Sequence, residues 1–164
     1  GQERGYRSGT ESVAAIAGLG IAAELAEKEL SSESFRLTQL RDRLFTLLAD
    51  IPELVPTGAI GRDRLPHHLS FYHQKLDGRQ LVRELNYAGI GISSGSACSS
   101  GAIEPSSTLL AMGYTEDQAK NSIRLTLGKS TTTADIDWTS QVIHQILQRE
   151  FGLSRRGQSP FHVE

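Results

Sequence analysis

Ser122-Ile123-Arg124-Leu125-Thr126-Leu127-Gly128 alternates apolar Ile123, Leu125 and Leu127 with polar Arg124 and Thr126. A period of two marks a strand with one face buried and the other in water. A sheet with one dry face needs helices to cover it, and the flanking sequence supplies them. Downstream, Thr132 or Thr133 can cap a helix whose core side is Ile136, Ile143, Ile146 and Leu147. Upstream, Thr115 with Gln118 three residues later is a capping-box signature for a short helix, and Ser106 to Met112 reads as another, ended by Gly113.

Further back, Asp77 can cap a helix carrying Leu81, Val82 and Leu85, with Gly89 at its C-terminal stop and Ile90 and Ile92 continuing as a strand. Leu54 to Thr57 and Leu69 to Tyr72 read as short strands on either side of the Gly/Arg/Asp-rich stretch Gly58 to Pro66. Phe35 to Ile51 carries Leu37, Leu40, Leu44, Leu47, Leu48 and Ile51 at three-and-four spacing, an amphipathic helix stopped by Pro52. From Glu11 to Leu30 apolar residues fall on nearly all sides, predicting a helix buried by several neighbours, some of them outside this chain, with Ser31, Ser32 and Ser34 separating it from the next helix. The pattern predicts an α+β class: a small sheet with helices packed mainly on one face. The tail from Leu153 to Glu164 is expected to be flexible.

The composition narrows the function. At 164 residues with 38% hydrophobic and 22% charged residues, the chain can bury a core and fold. Seventeen basic against nineteen acidic residues, a formal charge of −2, with no basic run, argue against a nucleic-acid partner. The longest mostly apolar stretch, Val13 to Ala26, is short for a membrane span and is interrupted by Gly18, Gly20 and Glu24. One cysteine cannot form an intrachain disulfide, and the opening residues carry no secretory pattern, so a cytoplasmic location is expected. The chain opens without methionine in loop-like sequence, which suggests a piece of a longer protein.

Three positions could carry chemistry. Cys98 lies in Ser93-Ser94-Gly95-Ser96-Ala97-Cys98-Ser99-Ser100-Gly101-Ala102-Ile103-Glu104-Pro105, with five serines and two glycines around it and little that can pack. Such surroundings suit an accessible thiol able to become a thiolate, but composition alone leaves an inert surface cysteine equally open. Arg124, polar on an otherwise apolar strand, can grip a carboxylate with both guanidinium nitrogens or can be a solvated edge residue. Ser8-Gly9-Thr10 ahead of a helix suits a phosphate, or Thr10 can be an ordinary cap. The adjacent His67 and His68 read as surface or partly packed residues, and no His/Cys spacing indicates an intrinsic metal site.

Four of these segments resemble those of one family in the same order. Gln2-Glu3-Arg4-Gly5-Tyr6-Arg7-Ser8-Gly9-Thr10, Ser93-Ser94-Gly95-Ser96-Ala97-Cys98-Ser99-Ser100, Glu104-Pro105-Ser106 and Ser122-Ile123-Arg124-Leu125-Thr126-Leu127-Gly128 are similar to the motifs of cysteine desulfurases of the NifS/IscS group, in the class V aminotransferase fold. The resemblance implies the small C-terminal domain of that fold, classed α/β by family, at 31–152 with a mostly antiparallel sheet, preceded by a large-domain loop and helix at 1–30 and followed by the tail at 153–164. It implies that Cys98 attacks the sulfur of L-cysteine bound to pyridoxal 5'-phosphate, releasing L-alanine and leaving a persulfide for an iron–sulfur scaffold or other acceptor. By the same resemblance Cys98 is a transient iron–sulfur ligand when a scaffold partner docks. Arg124 would hold the substrate carboxylate, and Thr10 the cofactor phosphate across a homodimer. The family's aldimine lysine, in a Ser-x-His-Lys context, is absent, since Lys28, Lys75, Lys120 and Lys129 stand in other contexts. The chain alone is therefore expected to be inactive. A selenocysteine lyase or other class V aminotransferase-fold lyase, or a non-catalytic partner-docking or sulfur-acceptor module, is the alternative reading.

Overall fold

The computed structural model describes residues 3–6, 8–94 and 104–151. Two compact units divide the chain, Gly1–Phe35 and Arg36–Glu164. Helix α1 (Val13–Leu48) is continuous across the boundary, whereas the serine cluster at 31–34 predicts a break. The helix runs on because no glycine or proline interrupts 21–51, and because the Ser32 hydroxyl donates to the Glu29 carbonyl at 3.0 Å, satisfying itself one turn back instead of capping a new start. The half of α1 in the first unit leaves Val13, Ile16, Leu19, Ile21, Leu25 and Leu30 exposed within this chain, so its predicted covering neighbours are not among the described residues.

In the second unit four strands, β1 (Leu54–Pro56), β2 (His68–His73), β3 (Ser93–Ser94) and β4 (Ser122–Thr126), form one antiparallel sheet in the order β1-β2-β4-β3. Leu69 stands opposite Leu125 and Phe71 opposite Ile123. That register places the apolar sets of β2 and β4 on the same face. Against this face pack Leu40, Leu44 and Leu48 of α1, Leu81 and Leu85 of α2 (Gly78–Tyr87), and Ile136, Ile143, Ile146 and Leu147 of α5 (Thr133–Phe151), forming one buried core. Two short helices, α3 (Ser107–Ala111) and α4 (Glu116–Lys120), stand apart from that core. They touch the opposite face through Tyr114 and Gln118, which meet Tyr72 edge-on at 6.1 Å and at its hydroxyl at 3.2 Å.

Local chemistry sets the element ends. The Asp77 carboxylate accepts the Arg79 amide at 2.8 Å to open α2. The capping box of Thr115 and Gln118 forms in both directions, at 2.9 and 3.2 Å. At α5, the Thr132 hydroxyl accepts from the Asp135 amide while the Asp135 carboxylate accepts from the Thr132 amide. Gly89 closes α2 at φ +78°, and the Ile90 amide bonds back to the Leu85 carbonyl at 2.9 Å. This closure consumes the amide that the predicted Ile90–Ile92 strand would have offered to the sheet. Ile90 and Ile92 instead pack against the core, and strand pairing begins later, at Ser93. Among the described residues no helix is long and apolar enough to cross a membrane.

Candidate functional site

The face of the sheet turned away from the core is polar. Strand alternation puts His68 and Ser70 of β2 on it, together with Arg124 and Thr126 of β4. Ser70 stands opposite Arg124 across one ladder, and Ser93 opposite Arg124 across the other. Arg124 therefore occupies the centre of this face. Its side chain is exposed between buried Ile123 and buried Leu125.

A cleft of about 310 Å³ opens over His68, Ser70 and Arg124. Its floor is Ser70, Ser122, Ile123 and Arg124. One wall is the β1–β2 connection, with Thr57, Gly58, Asp63, Arg64 and Leu65, continued by His68 at the start of β2. The other is the start of α3, with Ser106, Thr108, Leu109 and Met112. The walls are braced from behind. The Thr57 hydroxyl donates to the Ser70 hydroxyl at 2.6 Å, and the Gly58 amide donates to the Tyr114 hydroxyl at 2.8 Å. Arg41, only 2% exposed, donates through Nη1 to the carbonyls of Arg64 and Leu65 at 2.9 and 3.1 Å. Arg64 in turn lies 5.4 Å over the Phe45 ring, donates to the Thr57 carbonyl, and approaches His68 Nδ1 with Nη1 at 3.1 Å. Burial, then the neighbouring charge of Arg41, holds the Arg64 pKa below its ordinary value. Burial, then Arg64, Arg124 and His67, holds His68 below the ordinary histidine value. The cleft therefore presents two guanidinium groups and a neutral imidazole. Such a set is suited to a small anion with a planar, two-oxygen head, which a guanidinium grips bidentately.

The sequence-derived candidates fall in three places. Arg124 lies in the cleft. Thr10 lies in the first unit, exposed, two residues ahead of the Ser12 carbonyl that accepts the first helical bond, from Ile16 at 3.0 Å, and its hydroxyl has no partner among the described residues. Cys98 lies outside the described residues, but the chain on both sides of it reaches the cleft, at Ser93 beside Arg124 and at Ser106 on the opposite wall. Sequence reasoning passed over Arg64 and read His68 only as a surface or partly packed residue. Their place in the cleft follows from the β2–β4 register and from the loop that Arg41 pins.

The chain belongs to the class-V aminotransferase family, whose model matches residues 1–138. Among its relatives, cysteine desulfurase IscS of Serratia proteamaculans is 40% identical over 154 residues, covering 94% of this chain and 37% of that protein. Cysteine desulfurase IscS 1 of Archaeoglobus fulgidus is 40% identical over 149 residues, covering 91% of this chain and 39% of that protein. The X-ray structure of a NifS-like protein from Rickettsia africae superposes with a TM-score of 0.76 at 30% identity, over 90% of this chain and 38% of that one. The chain thus spans about two fifths of the length of these relatives.

The family works with pyridoxal phosphate. That cofactor is anchored through a lysine and a phosphate cradle. None of the four lysines, Lys28, Lys75, Lys120 and Lys129, lines the cleft. The cleft is suited to a small carboxylate-type anion and does not by itself fit the cofactor.

Proposed function

We propose that this chain is the C-terminal part of a cysteine desulfurase and that it supplies the substrate-carboxylate grip and the sulfur-accepting thiol of that enzyme. Residues 1–30 contribute a loop and helix to the large domain, Thr10 among them as a contact for the cofactor phosphate, and residues 31–152 form the small domain. Arg124 binds the α-carboxylate of L-cysteine. The Cys98 thiolate attacks the substrate sulfur, an S–S bond forms as the C–S bond breaks, and the three-carbon product leaves as L-alanine. Pyridoxal phosphate, held by the remainder of the complete protein, supplies the electron sink. The persulfide on Cys98 then passes to an iron–sulfur scaffold or another acceptor, in a cytoplasmic, homodimeric enzyme. The isolated chain, without the aldimine lysine, does not turn over.

The observation that supports this reading best is the placement of the two ends of the Cys98 segment. Ser93 pairs directly with Arg124, and Ser106 lines the same cleft. Cys98 follows Ser94 by four residue steps, a contour of at most about 14 Å. Chain length alone thus limits how far the thiol can stand from the strand pair that carries Arg124. This arrangement gives an effective concentration that a cysteine elsewhere on the chain would lack.

The test is reconstitution with the complementary N-terminal part, pyridoxal phosphate and L-cysteine, followed by mass spectrometry. One added sulfur atom on Cys98, with alanine formed in equal amount, is expected, and Cys98→Ser abolishes both. Sulfur retained by the Cys98→Ser protein, or alanine produced by the isolated chain, would overturn the assignment.

A further inference from the structure

Besides the guanidinium groups, His68 offers the cleft a ring N–H whose position is fixed by the hydrogen bond at its other nitrogen. An arginine has only donors to offer, so the 3.1 Å approach of Arg64 Nη1 makes His68 Nδ1 an acceptor. The ring proton then sits on Nε2. Among the described residues Nε2 has no partner, and the ring lines the cleft.

Arg64 is itself held in place by the Thr57 carbonyl and the Phe45 ring, and its backbone carbonyl by buried Arg41. The tautomer is thus set by a braced group and not by a mobile surface side chain. His68 faces Thr126 across the ladder, and Ser70 faces Arg124. His68 and Arg124 are therefore diagonal neighbours on one face of the sheet. Such neighbours lie about 7–8 Å apart, within reach of long side chains. Protonating the ring would turn its acceptor nitrogen against Arg64 and add a third cation beside Arg64 and Arg124, with His67 adjacent and exposed Asp63 on the same wall. The neutral ring avoids that repulsion and keeps a donor for an anion.

We propose that His68 is a second anchor for the carboxylate gripped by Arg124, donating Nε2–H to the oxygen that the guanidinium does not saturate. The proposal deepens the reading of the cleft as a substrate-carboxylate site and rests on it. A neutral donor beside a guanidinium orients the carboxylate plane, which one flexible arginine alone leaves free to rotate.

Two measurements test it. In the isolated 164-residue chain, imidazole ¹⁵N spectra at neutral pH are expected to show His68 as the Nε2–H tautomer; an Nδ1–H tautomer or an imidazolium overturns the proposal. In the reconstituted enzyme, His68→Leu is expected to raise KM for L-cysteine at least about tenfold, the loss of one hydrogen bond to a charged group. kcat should stay within about twofold, because the anchor holds ground state and transition state alike. His68→Gln, which keeps an amide donor, recovers most of the loss. Inhibition by cysteamine, which lacks the carboxylate, is expected to be the same in wild type and His68→Leu. If Arg124→Ala raises KM and His68→Leu does not, or if His68→Leu weakens cysteamine equally, the His68 assignment fails alone. If Arg124→Ala itself leaves KM unchanged, the carboxylate reading beneath it fails.

Discussion

The two faces of one four-stranded sheet have opposite assignments. On the inner face Leu69, Phe71, Ile123 and Leu125 are all buried, 4% exposed or less, and each meets a helix. On the outer face His68, Ser70, Arg124 and Thr126 occupy the alternate positions of the same two strands, and a cleft lies over the first three. Neighbouring residues along β4 differ by a single peptide unit and by their whole role. The core side supplies rigidity, and the outer side presents groups on it. A donor or cation placed on a packed strand is held more closely than one on a loop.

The sharpest way to break this contrast is on the inner face. Phe71→Ala removes a ring packed at 5.1 Å from Phe45 and is expected to cost about 3–5 kcal/mol, read as a lowered urea midpoint. A smaller effect is expected where a helix meets the sheet. The Cβ of alanine at Gly78 would lie 2.3 Å from the Ser122 carbonyl oxygen. Gly78→Ala therefore forces α2 away from β4 and should destabilise by about 1–3 kcal/mol, an overpacking cost.

Acidification tests both faces together, since each carries a histidine kept neutral. His68 is lowered by burial, then Arg64, Arg124 and His67. His73, on the inner face, is lowered by burial, opposed by Glu53 and assisted by Lys75. A histidine with a depressed folded pKa takes up its proton in the unfolded chain first. Stability should therefore be undiminished above the ordinary value of 6.5 and fall as pH drops below it, until the lower folded values are passed. Melting temperatures recorded from pH 8 to pH 5 check the sign, and a rise on acidification would contradict it. Smallest of all, Thr126→Ala on the exposed outer face should change stability by no more than about 0.5 kcal/mol. A loss comparable to that of Phe71→Ala would mean that the outer face is packed after all.

Much of this architecture was legible in local patterns. The period-two alternation of 122–128, the leucines of 37–51, the Asp77 cap and the Thr115–Gln118 box depend on neighbours within a turn or a strand, and each appears at the expected place. Where local reasoning failed, a competing bond decided. Ser32 bonded back to Glu29 and the helix continued, and Ile90 gave its amide to the end of α2 and left the ladder. The site was legible only at Arg124, whose charge conflicts visibly with its strand. Arg64 and His68 sit in a polar stretch where charged residues are ordinary.

By itself, then, the sequence determined most of the helix and strand segments, which side of each is apolar, and which family the motifs resemble, because those properties are carried by residues close in the chain. Tertiary structure alone decided which polar residues share a site. Strand register brings His68, Ser70, Arg124 and Ser93 onto one face from three separated segments, and the buried guanidinium of Arg41 holds the loop that carries Arg64 beside them. The physical reason is range: propensities and caps act within a few residues, whereas an anion site requires charges and donors to converge across distant parts of the chain, and only the packed core sets that convergence.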